Sequence, residues 1–178
     1  DDCSNGSYSL VDDGDDNDDD GICDVGDNDD DNDGCLDTDD GAPFTWSHDE
    51  DEDGEGADCD ETPYGEISLS FANGTETSID IHYTSSVAIG GYQFAVSGVN
   101  LTGVSDGPFD VVTFNAANGM VIGFSSTGAN QPAGDGTLIH LEFEAEDGGS
   151  VISLSGLVVG DADGAPMAAS SEDGDIEA

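Results

Sequence analysis

Val87-Ala88-Ile89-Gly90-Gly91-Tyr92-Gln93-Phe94-Ala95-Val96-Ser97-Gly98-Val99 is the stretch that decides the fold. Tyr92, Phe94 and Val96 alternate with small or polar residues, and glycines stand on both sides. Period two places alternate side chains on one face, so the stretch reads as a half-buried β-strand. The same alternation recurs at Ile67, Leu69, Phe71; at Ile79, Ile81, Tyr83; and at Ile139, Leu141, Phe143. Further strands are expected over 99–103, 110–114, 120–125 and 150–159. Turn-forming clusters separate them, as at Asn73-Gly74, Gly134-Asp135-Gly136 and Gly148-Gly149. No segment carries helical spacing. The expectation is a mainly β chain with an antiparallel β-sandwich over residues 63–168. Residues 169–178, small and acidic, read as a C-terminal tail.

Ahead of the sandwich the composition changes. The chain has 178 residues, no Lys or Arg, 43 Asp plus Glu and a formal net charge of −43. Residues 1–62 hold 27 of those acids and all four cysteines. Without a basic side chain the protein has nothing to neutralise a phosphate, so nucleic-acid binding is excluded, as is a polybasic grip on anionic lipid. No apolar run approaches the roughly 20 residues that span a bilayer, so membrane insertion is not expected. The first residue is Asp1 and no leader is visible, which reads as a processed chain. Any counter-charge has to be imported, and a multivalent cation is the obvious source.

Three windows of residues 1–62 share one pattern. Asp16, Asp18 and Asp20 precede Gly21, with Asp24 and Asp27 beyond; Asp29, Asp31 and Asp33 precede Gly34, with Asp37 and Asp40; Asp49, Asp51 and Asp53 precede Gly54, with Asp58 and Asp60. Acids therefore stand at loop positions 1, 3, 5 and 12 with glycine at 6, and the first two loops add Asp at position 9. Ca²⁺ takes six to eight hard oxygen ligands, and this spacing turns carboxylates inward from a curling backbone. Glycine takes the sharp turn. Position 7 (Ile22, Cys35, Glu55) offers a backbone carbonyl. Two carboxylates 4 Å apart repel by about 4 kcal/mol at an effective dielectric of 20, so folding of residues 1–62 is expected to be coupled to several Ca²⁺ ions at extracellular, millimolar concentrations. An EF-hand or a dockerin is disfavoured, because no amphipathic helices flank the loops and position 12 is Asp rather than Glu. A zinc site is disfavoured by the cysteine spacing.

The segment resembles the thrombospondin type 3 repeat over about 12–62. The resemblance rests on the repeated acidic core with its glycine, the interspersed cysteines, and the endings Asp37-Thr38-Asp39-Asp40-Gly41-Ala42-Pro43-Phe44 and Gly56-Ala57-Asp58-Cys59-Asp60. It implies a helix-poor stalk wound around a string of calcium ions and stapled by disulfides. Ala57 departs from the pattern at position 9 of the third loop. Four cysteines allow three pairings; Cys3–Cys23 with Cys35–Cys59 is favoured, each spanning about one repeat.

In the β region, Val87–Val99, Gly123-Phe124-Ser125, Ala133–Leu138 and Val158–Gly164 resemble cohesin-like domains, in that family's order, over about 66–168. The resemblance implies a jelly-roll sandwich related to cohesins and some carbohydrate-binding modules. An enzyme is not expected. His48, His82 and His140 are isolated, and the Gly103-Val104-Ser105-Asp106-Gly107 match to a nucleophile elbow is followed by Pro108 rather than a helix. The main expectation is a non-enzymatic extracellular or cell-surface structural protein, a calcium-rigidified subunit of a fibre, layer or matrix made of copies of itself. The alternative is a cohesin-like adhesion module for a glycan or a surface-protein ligand.

Overall fold

The computed structural model describes residues 14–105, 107, 109–145 and 150–176. The chain divides into two compact units, Asp1–Pro63 and Tyr64–Ala178, each taken by itself below.

The second unit is built of ten strands: β1 (Glu66–Ala72), β2 (Ser78–Ser85), β3 (Ile89–Ser97), β4 (Val99–Ser105), β5 (Val111–Asn115), β6 (Met120–Phe124), β7 (Gly134–Ala145), β8 (Ser150–Asp161), β9 (Ala168–Ser171) and β10 (Gly174–Ile176). They form two five-stranded sheets in the orders β4-β7-β2-β1-β9 and β10-β8-β3-β6-β5. Consecutive strands often lie in different sheets, which is the crossing pattern of a jelly-roll sandwich. The described residues contain no helix.

The period-two residues point inward as expected. Ile67 and Leu69 of β1, Ile79, Ile81 and Tyr83 of β2, and Tyr92, Phe94 and Val96 of β3 are buried in one core with Leu141 and Phe143 of β7. Two irregularities re-aim side chains. Between Ile81 and His82 the β2–β7 register slips by one, so the neighbours Leu138 and Ile139 are both buried. A bulge reverses the in–out phase of its strand, which is how consecutive residues share one face. The β3–β8 register slips between Ile89 and Gly91. There a Cβ on Gly90 would stand 2.2 Å from the Asp161 carbonyl oxygen, so only glycine fits.

The expected antiparallel jelly-roll sandwich is the observed fold, with one parallel pair, β1 with β9, Glu66 opposite Ala168 through Leu69 opposite Ser171. One expectation is corrected. Residues 169–178 are not a tail throughout: β9 borders the first sheet, and β10 pairs with β8 at the edge of the second, with Ile176 buried. Small side chains suit these positions, since Gly174 packs against Phe71 and Ile152 where a Cβ would meet ring carbon at 2.7 Å. Among the described residues, no helix is long and apolar enough to cross a membrane.

Candidate metal centre

Cys35 is the only buried apolar side chain among the described residues of the first unit. Its shape comes instead from hydrogen bonds that acidic side chains accept from their own backbone, and these repeat in register. The position-6 N–H of Gly21, Gly34 and Gly54 donates to Asp16, Asp29 and Asp49 (3.2, 3.2 and 2.9 Å). The position-7 N–H of Ile22, Cys35 and Glu55 donates to Asp20, Asp33 and Asp53 (2.7, 2.9 and 3.0 Å). The N–H groups of Asp24, Asp37 and Ala57 donate to the carbonyls of Asp15, Asn28 and His48, just before each loop. Asp27, Asp40 and Asp60 each close a helical turn onto the position-8 carbonyl (Cys23, Leu36, Gly56). Their carboxylates then accept from the N–H two residues on, in Asp29, Ala42 and Thr62. Position 4 has positive φ in all three (Asp19, Asn32, Glu52), as does the glycine at position 6. The three windows are thus three copies of one backbone loop.

This backbone brings carboxylates together. Oxygens of Asp16, Asp18 and Asp20 lie within 4.8 Å of one another, as do those of Asp29, Asp31 and Asp33, and of Asp49, Asp51 and Asp53. Asp53, Glu55 and Asp60 form a further group, so Glu55 contributes a carboxylate where only its carbonyl was expected. Asp58 corrects the sequence assignment. It lies with Asp33 of the second loop, and the Ser47 hydroxyl stands 2.7 Å from Asp33 and 2.8 Å from Asp58. The reason is covalent: Cys59, next in the chain, is bonded to Cys35, which follows the second loop's glycine. Cys35 sulfur is thereby unable to act as a thiolate ligand, leaving its carbonyl. Cys23 is also disulfide-bonded; Cys3 lies outside the described residues. Asp24 and Asp37 accept the position-2 N–H of Asn17 and Asp30, both at 2.9 Å.

Oxygens of Asp16, Asp18, Asp29, Asp30, Asp31, Asp40 and Asp51 are buried without a hydrogen-bond partner. Buried polar atoms are nearly always paired, and a run of carboxylate oxygens facing one another calls for a cation. The acid–base character follows. Burial, then Asp33 with Asp40 and Asp29, pushes the Asp31 carboxyl up, and burial with Asp53 and Asp60 does the same to Asp51. Asp40 is raised by burial and Asp58 in spite of the bond it accepts from Ala42. Asp33 is lowered: burial pushes it up, but the Ser47 hydroxyl and the Cys35 N–H outweigh that. The donors are hard oxygens converging in small loops, which fits Ca²⁺ and does not fit a thiolate-seeking metal.

The second unit has a separate feature. On the outer face of the second sheet, Val158, Gln93, Ile122 and Thr113 form one register row across β8, β3, β6 and β5. Beside it, Gly91 and Gly160 floor a hollow of about 430 Å³ bordered by Phe124, Asp161 and Asp163. Phe124 is 45% and Val158 57% exposed. Tyr83 and Tyr92 do not reach this face; both are core residues. Each lies opposite a glycine, Gly136 and Gly123, that leaves room for the ring. Of the histidines, His140 Nδ1 stands 2.5 Å from Asp80 and His82 Nε2 stands 3.1 Å from the Thr137 hydroxyl.

No family model and no curated protein matches the chain. Solved structures similar to it include a chain of the CaDoc0917–CaCohA2 complex, at 20% identity over 62% of this chain and 97% of that one, TM-score 0.49. A non-cellulosomal cohesin from the hyperthermophilic archaeon Archaeoglobus fulgidus matches at 14% identity over 64% and 92%, TM-score 0.48. A type I cohesin–dockerin complex from Clostridium thermocellum matches at 15% over 62% and 92%, TM-score 0.48. At these values they decide nothing about what this chain binds, and the fold stands on the strand order above.

Asp30 is buried with Oδ1 unpartnered, a feature outside the sequence pattern. It occupies position 2, which the ligand pattern ignores, and the only signal was the unbroken run Asp29-Asp30-Asp31.

Proposed function

We propose that this protein is a calcium-dependent, non-enzymatic extracellular binding module. Residues 1–62 are a spacer of the thrombospondin type 3 kind that closes around several Ca²⁺ ions, and the β-sandwich is a cohesin-like domain that engages a protein partner. The observation that carries the calcium reading is the set of buried, unpartnered carboxylate oxygens in three loops of one geometry. In a chain with no Lys or Arg, no side chain of its own supplies a permanent countercharge. The partner reading is supported by the apolar side chains of Phe124 and Val158 beside an acidic rim at Asp161 and Asp163. Such a surface suits a partner with an apolar anchor and basic flanks, drawn in by the net negative charge.

Equilibrium dialysis and thermal unfolding of the full chain, in millimolar Ca²⁺ and in chelator, test the first half. Uptake of several ions with a raised first transition is expected; no uptake and superimposable curves would sink it. Binding to dockerin-type proteins and to a glycan array, wild type against Phe124→Ala, tests the second half. Protein binding weakened about tenfold or more by the substitution is expected. Glycan binding alone, or fibres and layers of the chain by electron microscopy, would replace it with the other readings.

A further inference from the structure

Asn73-Gly74-Thr75 and Asn100-Leu101-Thr102 are the two Asn-X-Thr triplets of the second unit. Such a triplet is the acceptor for N-linked sugar in a secreted chain. The Cys35–Cys59 disulfide is the bond of an oxidising compartment, which a secreted chain passes through. The structure adds where the two asparagines stand. Asn100 is exposed on β4 between buried Val99 and Leu101, so it projects from the outer face of the first sheet. β4 is an edge strand, so no strand flanks Asn100 on its open side. Asn73 is exposed in the turn from β1 to β2, and its Nδ2 donates to Asp80 at 2.7 Å. Asp80 lies between buried Ile79 and Ile81, which places this carboxamide on the same outer face. Thr75 and Thr102 are exposed as well. A glycosylated asparagine keeps one N–H on Nδ2, which leaves Asp80 a donor.

The two outer faces of the sandwich differ. On the first sheet the outward residues of β1 and β2 are polar: Ser68, Ser70, Asp80, His82 and Thr84. On the second sheet Val158, Ile122 and Phe124 stand outward. Asn115, Asn118 and Asn130 belong to β5, to the β5–β6 turn and to the rim of the hollow, and none is an acceptor. Ala117, Met120 and Pro132 stand where each would need its hydroxyl. We propose that Asn73 and Asn100 carry N-linked glycans, so that sugar covers the outer face of the first sheet and leaves that of the second bare for a protein partner. The co-reactant is a lipid-phosphate-linked oligosaccharide. Asparagine Nδ2 attacks the sugar C1, the N–C1 bond forms, the bond from C1 to the phosphate oxygen breaks, Nδ2 gives up one proton, and the lipid phosphate leaves. The inference rests on the extracellular part of the reading above and adds a modification to it.

The test is peptide mapping of the protein isolated from its native source. Pepsin cuts it, since the chain has no Lys or Arg for trypsin, and electron-transfer mass spectrometry locates added sugar. Glycan mass is expected on Asn73 and Asn100 and on none of Asn115, Asn118 and Asn130. Thr102→Val and Thr102→Ser, made in the same source, separate the triplet from the asparagine itself. Thr102→Val is expected to lose the Asn100 glycan completely and to keep that of Asn73; Thr102→Ser is expected to keep both. Either asparagine bare in the wild type, sugar on the second sheet's asparagines, or sugar persisting on Asn100 in Thr102→Val overturns the inference. A chain bare at both positions that still binds a dockerin-type protein overturns the inference and leaves the binding-module reading standing. A chain glycosylated at both positions that binds no such protein does the reverse.

Discussion

Gly21, Gly34 and Gly54 occupy the same turn with φ of 94°, 94° and 103°, yet their surroundings differ. A Cβ on Gly34 would stand 2.1 Å from the Gly54 carbonyl oxygen, whereas a Cβ on Gly54 would meet nothing within 4 Å. The backbones of the second and third loops therefore touch at Gly34. Alanine at Gly54 bears only the positive-φ penalty, about 1–2 kcal/mol. Alanine at Gly34 adds a backbone clash that side-chain motion cannot relieve. Gly34→Ala is expected to lower the unfolding midpoint of the repeat unit at least twice as far as Gly54→Ala, in calcium, by denaturant titration. Equal effects would mean that the loops do not pack through this contact. The residue scale also shows where sequence reading stops. Spacing placed Asp16, Asp18, Asp20 and their equivalents in groups, because a turn of fixed length brings positions 1, 3 and 5 together. It read Asp58 with the third window and passed over Asp30; the Cys35–Cys59 bond between loops is what brings Asp58 beside Asp33. Spacing within one loop carries no information about what the next loop brings.

At the scale of elements, alternation located the strands whose side chains fill the core, from Ile67 to Phe143. Those strands own their signal, since each buries a face. β9 and β10 do not. Ala168–Ser171 has no large side chain, and Gly174–Ile176 has one, so a pattern search sees an acidic, small-residue end. Their conformation is imposed by open sheet edges, β1 on one side and β8 on the other. The parallel pairing of β1 with β9 joins residues about a hundred positions apart, which no local pattern records. Ile176 decides between strand and tail. Truncating a residue of a flexible tail changes nothing, but Ile176 is 7% exposed within the core cluster. Ile176→Ala is expected to destabilise the sandwich by about 2–3 kcal/mol, read by thermal or denaturant unfolding. A change within about 0.5 kcal/mol, the usual range for an exposed substitution, would mean that β10 is not docked.

For the whole molecule the governing fact is a charge of −43 with no Lys or Arg. Two agents can relieve it, and they act differently. Monovalent salt screens charges that water reaches, with a Debye length of about 3 Å at 1 M, but it acts weakly on buried pairs. Ca²⁺ binds the oxygens themselves. Mg²⁺ is smaller, holds its waters and demands near-octahedral geometry, so it is a poor substitute in a shell of many carboxylates. The described acids of the sandwich whose burial is resolved are exposed or bonded to neighbours, as Asp110 is to Ser126 and Asp80 to Asn73 and His140, whereas several of those in the loops face one another with buried oxygens. Molar NaCl in chelator is therefore expected to stabilise the sandwich while leaving residues 14–63 open; millimolar Ca²⁺ at low salt is expected to close them. Hydrogen exchange followed by pepsin digestion and mass spectrometry reads the difference, trypsin having no site in this chain. The reporters are the N–H groups of Gly21, Gly34 and Gly54, which donate to the first carboxylate of each loop. Protection of all three in Ca²⁺, and of none in NaCl or Mg²⁺, is the expected pattern. Equal protection in 1 M NaCl would make the acidic windows a salt-adapted surface, and equal protection in Mg²⁺ would make them a general divalent sponge.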